Sequence, residues 1–413
     1  MVFANHAIFE DTASAFFDAD QDGDQDLYVG SGGNNVIERK EYLNDRIYLN
    51  DGQGNFEFKP ESFKPVQLNT GVVAPCDFDG DGDIDLFIGQ RSIPGIYGVD
   101  PENLLLENDG KGNFTDVIES KAFDLKKVGM ITDAVWVDMN KDQKMDLVIT
   151  GEWMAPLIFE NSGRRLKKVK SNIEAYTGLW AALNVADLDG DGDMDLVLGN
   201  KGINWFYETS EESPAKMYIN DFDNNGTIEQ ILTRSINQKD VPLVLRKELS
   251  NQIPSLKKSV LKFEDYAKTS INDLFSTKIV ENSIVKEAVT FKSLIAYNNG
   301  DNNFTIVSLP NEVQRSCVNA ILTKDLNGDG ILDIITVGND FRYKPQFTRS
   351  DASTGDVLLS QPNQKYRCVN SNLSGLFVKG QASQMTWLQN KTHPSLFMIG
   401  INNSAPKLFG LND

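Results

Sequence analysis

Apolar residues along this chain fall in short runs, not in long stripes. Runs such as ASAFF, DLYVG, VVAPC, DLFIG, AVWV, DLVIT, DLVLG and IITVG are rich in Val, Ile, Phe and Tyr and are bounded by Asp, Gly and Asn. That pattern reads as short strands joined by tight turns. The runs come in pairs, and each pair brackets a nine-residue acidic stretch, so the acidic stretch is the turn of a β-hairpin. After most pairs comes a second one, RIYLNDGQGNFEF, LLLENDGKGNFTDV or PLIFENSGRRLKKV, bent at Asn-Asp-Gly or Asn-Ser-Gly. The unit is therefore four antiparallel strands.

The unit repeats. Acidic stretches begin at Asp18, Asp77, Asp138, Asp187, Asp221 and Asp325, and the first four are spaced by 49 to 61 residues. Four-stranded units in series predict an all-β chain, a β-propeller with its blades stacked around an axis. Residues 14–60, 71–118, 130–170, 180–210 and 317–372 supply five blades. Residues 380–413 supply three strands of another, and the N-terminal run AIFEDT is expected to close it as the fourth strand, which would remove an exposed sheet edge. The stretch from Asp221 to Leu309 supplies the remaining blade, for a seven-bladed propeller over residues 1–413. The short step from Asp187 to Asp221 leaves a second arrangement open, in which MYINDFDNNG is the outer hairpin of blade four. Residues 243–288 have helical spacing and good helix formers, which predicts a small α-helical insertion within blade five.

The acidic loops carry the sharpest chemistry. In a 1, 3, 5, 7, 9 frame they offer Asp18, Asp20, Asp22, Asp24 and Asp26; Asp77, Asp79, Asp81, Asp83 and Asp85; Asp138, Asn140, Asp142, Lys144 and Asp146; Asp187, Asp189, Asp191, Asp193 and Asp195; Asp221, Asp223, Asn225, Thr227 and Glu229; and Asp325, Asn327, Asp329, Ile331 and Asp333. Alternating oxygen donors in a tight loop suit a hard cation, and Ca²⁺ accepts such flexible geometry better than Mg²⁺. Position 7 contributes a backbone carbonyl, so Lys144, Thr227 and Ile331 are tolerated there. Glycine at position 6 allows the sharp turn. The third loop has Gln143 there, plus Lys141 and Lys144; the fifth closes on the longer Glu229. Four to six calcium ions are expected. Strand flanks and closure at position 9 separate these loops from helix–loop–helix sensors, and the lack of thiolate or imidazole donors argues against zinc or copper.

Composition fits this picture. Apolar residues make up 40% and charged residues 24% of the 413, which is ordinary for a globular chain. The formal net charge is -19, and the six loops hold 24 of the 59 acidic residues. Six divalent cations would bring the charge to about -7. Such a field makes nucleic acid a poor partner, and no apolar stretch is long enough to span a membrane. Cys76 and Cys317 read as small buried hydrophobes, with a Cys317–Cys368 bridge left open. His6 and His393 read as structural or surface residues. Met1–His6 lacks the basic and apolar regions of a secretory signal, so a segment of a larger chain is expected.

The repeats ASAFFDADQDGDQDLYVGSGGN and VVAPCDFDGDGDIDLFIGQR resemble FG-GAP or VCBS repeats, the calcium-binding blades also found in integrin α-subunit propellers. Together with GMITDAVWVDMNKDQKMDLVITGEW and the helical insertion they are similar to propeller regions of bacterial ASPIC/UnbV and cartilage-acidic-protein-like surface proteins, although no ASPIC/UnbV segment follows the last blade. The resemblance implies a secreted or cell-surface location and an adhesion or interaction role, without naming a ligand.

The face opposite the loops is where a protein or glycan ligand is expected. The ends of the second strands and the entries to the first place Arg91, Asp133, Glu152, Trp153, Trp180, Asn204 and Trp205 there, with Asn34, Gln90, Asn200, Asn339 and Asp340 around them. Aromatic, amide and carboxylate groups suit sugar or peptide. No catalytic signature is present, and the chain is expected not to be an enzyme. Two other readings remain open: a carbohydrate lyase or glycoside hydrolase using carboxylates of this face, and a purely structural domain of an envelope protein.

Overall fold

The computed structural model describes residues 2–34, 39–259, 262–343, 347, 349–388 and 395–411. Every strand pair in it is antiparallel. The first sheet runs Glu10–Phe17, Asp26–Gly32, Arg46–Asn50, Phe56–Phe58, and the second Asn69–Cys76, Asp85–Ser92, Leu104–Asn108, Phe114–Asp116. The third holds Met130–Val137, Asp146–Met154, Leu157–Asn161 and Leu166–Val169, with the short strand Gly178–Leu179 added at the far end of Asp146–Met154. The fourth runs Ala182–Ala186, Asp195–Gly199, Leu294–Asn298, Phe304–Ser308. The fifth runs Val318–Lys324, Asp333–Gly338, Asp356–Gln361, Lys365–Val369. The sixth has three strands, Ala382–Trp387, Leu396–Ile401 and Lys407–Gly410.

The core lies between sheets, not within one. Separate apolar clusters join the first sheet to the second, the second to the third, the third to the fourth, the fourth to the fifth and the fifth to the sixth. The second strand of each sheet explains how. Because side chains alternate across a strand, its continuous apolar run divides by parity between two neighbours. Leu86 and Ile88 face the first sheet while Phe87 faces the third. Leu147 and Ile149 face the second, and Val148 the fourth. Leu196 and Leu198 face the third, and Val197 the fifth. A glycine near the end of these strands lets the next sheet close in. A Cβ on Gly199 would stand 2.6 Å from the Val318 carbonyl oxygen, and one on Gly89 would stand 2.7 Å from Ile131. One pocket of about 360 Å³ is lined by first strands of all six sheets, through Ser14, Val72, Thr132, Leu183, Asn319 and Ser383.

Two expectations are corrected. The stretch expected as a further blade is a sheet inserted into the fourth. Its strands are ordered Lys239–Pro242, Glu229–Ile236, Ala215–Asn220, Ile284–Ala288. Strand Asp195–Gly199 pairs with Leu294–Asn298, so the outer hairpin of the fourth sheet is LIAYN with FTIVS and not MYINDFDNNG. The fourth and fifth sheets pack directly on each other, and the seven-blade count fails for that reason. The insert instead sits against the third sheet, where Met217 and Ile219 meet Met130, Trp153 and Leu179. Its helices lie between Arg246 and Glu281, and Leu249, Ile253, Tyr266 and Ile271 cover Tyr218 and Ile231.

The N-terminus does not complete the last sheet. Glu10–Phe17 is the first strand of the first sheet, and the turn Val2–His6 folds back on that sheet. The Phe3 ring lies 5.0 Å from Tyr48, and the His6 ring 4.7 Å from Phe58. These aromatic contacts hold the N-terminus on its own sheet. Finally, Cys76, Cys317 and Cys368 are all free thiols, so the Cys317–Cys368 bridge does not form. His393 lies outside the described residues.

Candidate metal centres and the opposite face

All six acidic loops share one backbone. Positions 4 and 6 are left-handed in each: Gln21 and Gly23, Gly80 and Gly82, Lys141 and Gln143, Gly190 and Gly192, Asn224 and Gly226, Gly328 and Gly330. The position 6 amide donates to the position 1 carboxylate in every loop, at 2.8 to 3.1 Å. The position 7 amide donates to the side chain at position 5 in every loop, at 2.7 to 3.1 Å. These bonds turn alternate side chains inward.

Four loops bring three carboxylates within 4.8 Å of one another: Asp18, Asp20 and Asp22; Asp77, Asp79 and Asp85; Asp187, Asp189 and Asp195; Asp221, Asp223 and Glu229. Within them Asp18 Oδ1, Asp20 Oδ1, Asp24 Oδ1, Asp79 Oδ1 and Asp223 Oδ1 are buried with no hydrogen-bond partner among the described residues. Buried carboxylate oxygens without donors are costly unless a cation neutralises them. Burial, then crowding by Asp22, Asp20 and Asp18, pushes Asp24 up. The donor set is all oxygen, and it fits a hard divalent cation.

The third and sixth loops differ. Position 3 is Asn140 or Asn327, and among the described residues their carboxylates form no such triad. In the third, Lys144 Nζ lies 2.8 Å from Asp142 Oδ2. The fifth loop, with its longer Glu229, does gather its three carboxylates.

Position 9 has a second role that sequence reading missed. Its carboxylate accepts from the position 2 amide of its own loop and from an amide of the third strand. For Asp26 the donors are Ala19 and Asn50, for Asp85 Phe78 and Asn108, for Asp146 Met139 and Asn161, for Asp195 Leu188 and Asn298, and for Asp333 Leu326 and Ser360. Burial pushes Asp85 and Asp195 up to about 7, against the pull of those amides. The third-strand asparagine then ties sheets together. Asn108 Nδ2 donates to Ala19 O of the first loop at 2.9 Å, and Asn161 Nδ2 to Phe78 O of the second at 2.6 Å.

The strand ends away from the loops carry a charged cluster. Arg91 reaches Glu152 with Nη2 at 2.7 Å and Nε at 3.4 Å. Tyr97 donates to Glu152 Oε2 at 2.8 Å, and Trp153 Nε1 donates to Tyr97 Oη at 3.1 Å. Burial would raise the Glu152 carboxyl, but the charges of Arg91 and Lys201 and the hydrogen bonds from Arg91 and Tyr97 hold it down at about 2. Trp153 sits at φ 60° in a register shift of its strand, an uncommon backbone for a bulky residue. Beside this group Asp340 accepts from Lys201 Nζ at 3.0 Å and from both Nε and Nη2 of Arg342.

The other residues expected here divide. Trp180 is fully buried between the third and fourth sheets, with Nε1 on Tyr176 O. Trp205 packs in an aromatic group, 4.8 Å from Phe206 and 4.4 Å from Tyr343. Asn204 is exposed. Asp133 lines the six-sheet pocket, where its carboxylate accepts from the Ala134 and Leu183 amides, and burial raises it to about 6. Gln90, Asn200 and Asn339 are buried and bonded within the fold, and Asn34 Oδ1 accepts from the Gly95 amide. Sequence reading missed Tyr97, Lys201 and Arg342. The available signal was a basic residue soon after the second-strand glycine in GQR, GNK and GNDFR.

Antiparallel four-stranded sheets in series, with acidic hairpin loops between their first two strands, define an all-β, β-propeller-like repeat protein. Residues 18–88, 77–149 and 138–198 each match the FG-GAP-like repeat, so this stretch of the chain is built of FG-GAP-like repeats. Among curated proteins, none matches the chain. Among solved structures, it is similar to the V. cholerae biofilm matrix protein Bap1, at 11% identity and TM-score 0.37, over 97% of this chain and 77% of that one. It is similar to Chaetomium thermophilum Sqt1, solved bound to the N-terminus of ribosomal protein L10, at 10% identity and TM-score 0.44, over 98% and 85%. It is also similar to BBS1N, solved in complex with ARL6DN, at 10% identity and TM-score 0.37, over 98% and 94%.

Proposed function

We propose that the chain is a calcium-stabilised β-propeller of six blades that acts at the cell surface as a protein- or glycan-binding module. Calcium sits in the acidic loops, and the ligand binds at the opposite strand ends. The observation that carries this reading is the Arg91–Glu152–Tyr97–Trp153 network. It holds charged and aromatic groups rigidly at one face, with the Trp153 backbone in a strained conformation, as pre-organised recognition sites do.

Binding is favoured over turnover by the state of the three carboxylates on this side. Asp133 spends its oxygens on backbone amides, Glu152 is held ionised by Arg91, and Asp340 by Arg342 and Lys201. None is placed as a proton donor. The experiment has two arms. Chelation by EDTA is expected to lower the melting temperature steeply, because ions bound only by the folded state add stability; an unchanged melt would end the calcium reading. Glycan and peptide arrays probed with the calcium-loaded protein are expected to return a ligand, and blank arrays would favour a purely structural domain.

A further inference from the structure

A second pocket, of about 410 Å³, opens beside the charged cluster at the strand ends away from the acidic loops, where strands of the first and second sheets meet the segment that follows the fifth sheet's second strand. Arg91 and Arg342 both line it, and they are close enough that the charge on Arg91 works against that on Arg342. Each guanidinium has five N–H donors, and its own carboxylate takes two of them: Glu152 for Arg91, Asp340 for Arg342. The carboxylates are buried and the guanidiniums are half-exposed. The pocket thus presents two cationic forks backed by buried anions, with the Glu10 carboxylate beside Gly33 also on its wall. Such forks suit a planar carboxylate.

A separate observation concerns Asn69. It is buried, it lines the same pocket, and its Nδ2 donates to Ser92 Oγ at 2.8 Å. No donor reaches its Oδ1 among the described residues. That oxygen is itself buried, toward Gly32 of the first sheet, so the polar wall open to an occupant is formed by Thr12, Asn34, Thr70 and Ser92. No aliphatic side chain lines the pocket, so it offers nothing to anchor an apolar peptide residue, whereas hydroxyl-rich ligands match a polar wall. The protein's net charge of -19 would otherwise repel an anion, so the paired arginines have to act locally.

We propose that this pocket binds an acidic sugar, with its carboxylate between Arg91 and Arg342 and its ring hydroxyls on the polar wall. This rests on the binding-module reading and gives that site its ligand class. The test is titration calorimetry on the whole calcium-loaded chain with methyl β-glucuronide, against methyl β-glucoside and acetyl-aspartyl amide. The glucuronide is expected to saturate, to outbind both controls, and to weaken as ionic strength rises. Arg342→Gln should lose about tenfold or more in affinity with an unchanged melt, because Lys201 still pairs with Asp340. Arg91→Lys, which keeps the charge and loses the fork, should also weaken binding. No glucuronide binding, equal binding by Arg342→Gln, or preference for the aspartyl amide would each overturn the acidic-sugar assignment. A neutral glycan or a protein bound at this face without regard to Arg342 would overturn it and leave the binding-module reading standing.

Discussion

Lys141 Nζ lies 2.6 Å from Asp193 Oδ1, so position 4 of the third acidic loop is ion-paired to position 7 of the fourth. The first two loops repeat the relation with Gln21, whose Nε2 donates to Gly82 O and to Asp83. Both bridging residues have left-handed backbones where three of the other loops use glycine and the fifth uses Asn224. Lys141→Gly removes the ammonium and relaxes that turn. The expected outcome is tighter calcium binding by the fourth loop in a calorimetric titration. Unchanged affinity would mean that the ammonium does not compete with the cation.

Asn108 and Asn161 each donate to two backbone carbonyls, one in their own sheet's loop and one in the preceding sheet's. Replacing either by Ala strands those buried carbonyls. Each change is expected to cost about 1–3 kcal/mol in urea denaturation. A smaller loss in both would show that these ties are not what holds adjacent sheets.

Two second-strand glycines are expected to behave oppositely. A Cβ on Gly199 meets the Val318 carbonyl oxygen at 2.6 Å, whereas one on Gly400 in the sixth sheet meets nothing closer than 3.9 Å. Gly199→Ala forces the fifth sheet outward and should cost at least about 2 kcal/mol. Gly400→Ala should stay within about 0.5 kcal/mol of the parent. Similar melts for the two variants would refute the close-approach role.

Glu152 predicts a pH signature. Its carboxyl is held at about 2, below the 4.5 of a free glutamate. A depressed acid contributes stability above its unfolded value, and that contribution fades as pH falls from 4.5 toward 2. Glu152→Gln should therefore be less stable than the parent by about 3 kcal/mol at neutral pH. The gap should narrow below pH 4.5. A gap constant down to pH 3 would mean that the loss is packing and not charge.

The loops were legible because their turn needs side chains and glycines at fixed offsets, and Asp77 through Asp85 spell that frame without reference to the rest of the chain. The sheet count was not. MYINDFDNNG carries the same local hairpin as the true repeats, and only the pairing of Leu196 with Ala296 shows that it belongs to an insert. The N-terminal turn was misread because strand propensity in AIFEDT is local, while the rings of Tyr48 and Phe58 that hold Phe3 and His6 come from forty or more residues on. On the opposite face, Arg91, Glu152 and Trp153 could be picked by position along the repeat. Trp180 could not be told from them, since its burial depends on the fourth sheet.

The insert leaves and returns through one gate: the Gly202 amide donates to Phe291 O, and Asn200 Nδ2 to Thr290 O. Hairpins elsewhere close over a handful of residues, but the inner and outer halves of the fourth sheet are separated by about a hundred, and closing so large a loop slows assembly. The fourth sheet is thus completed on the ribosome only after the whole insert has emerged. Until it forms, the apolar face of the third sheet lacks its neighbour, which makes this seam a point where the newly made chain is open to aggregation.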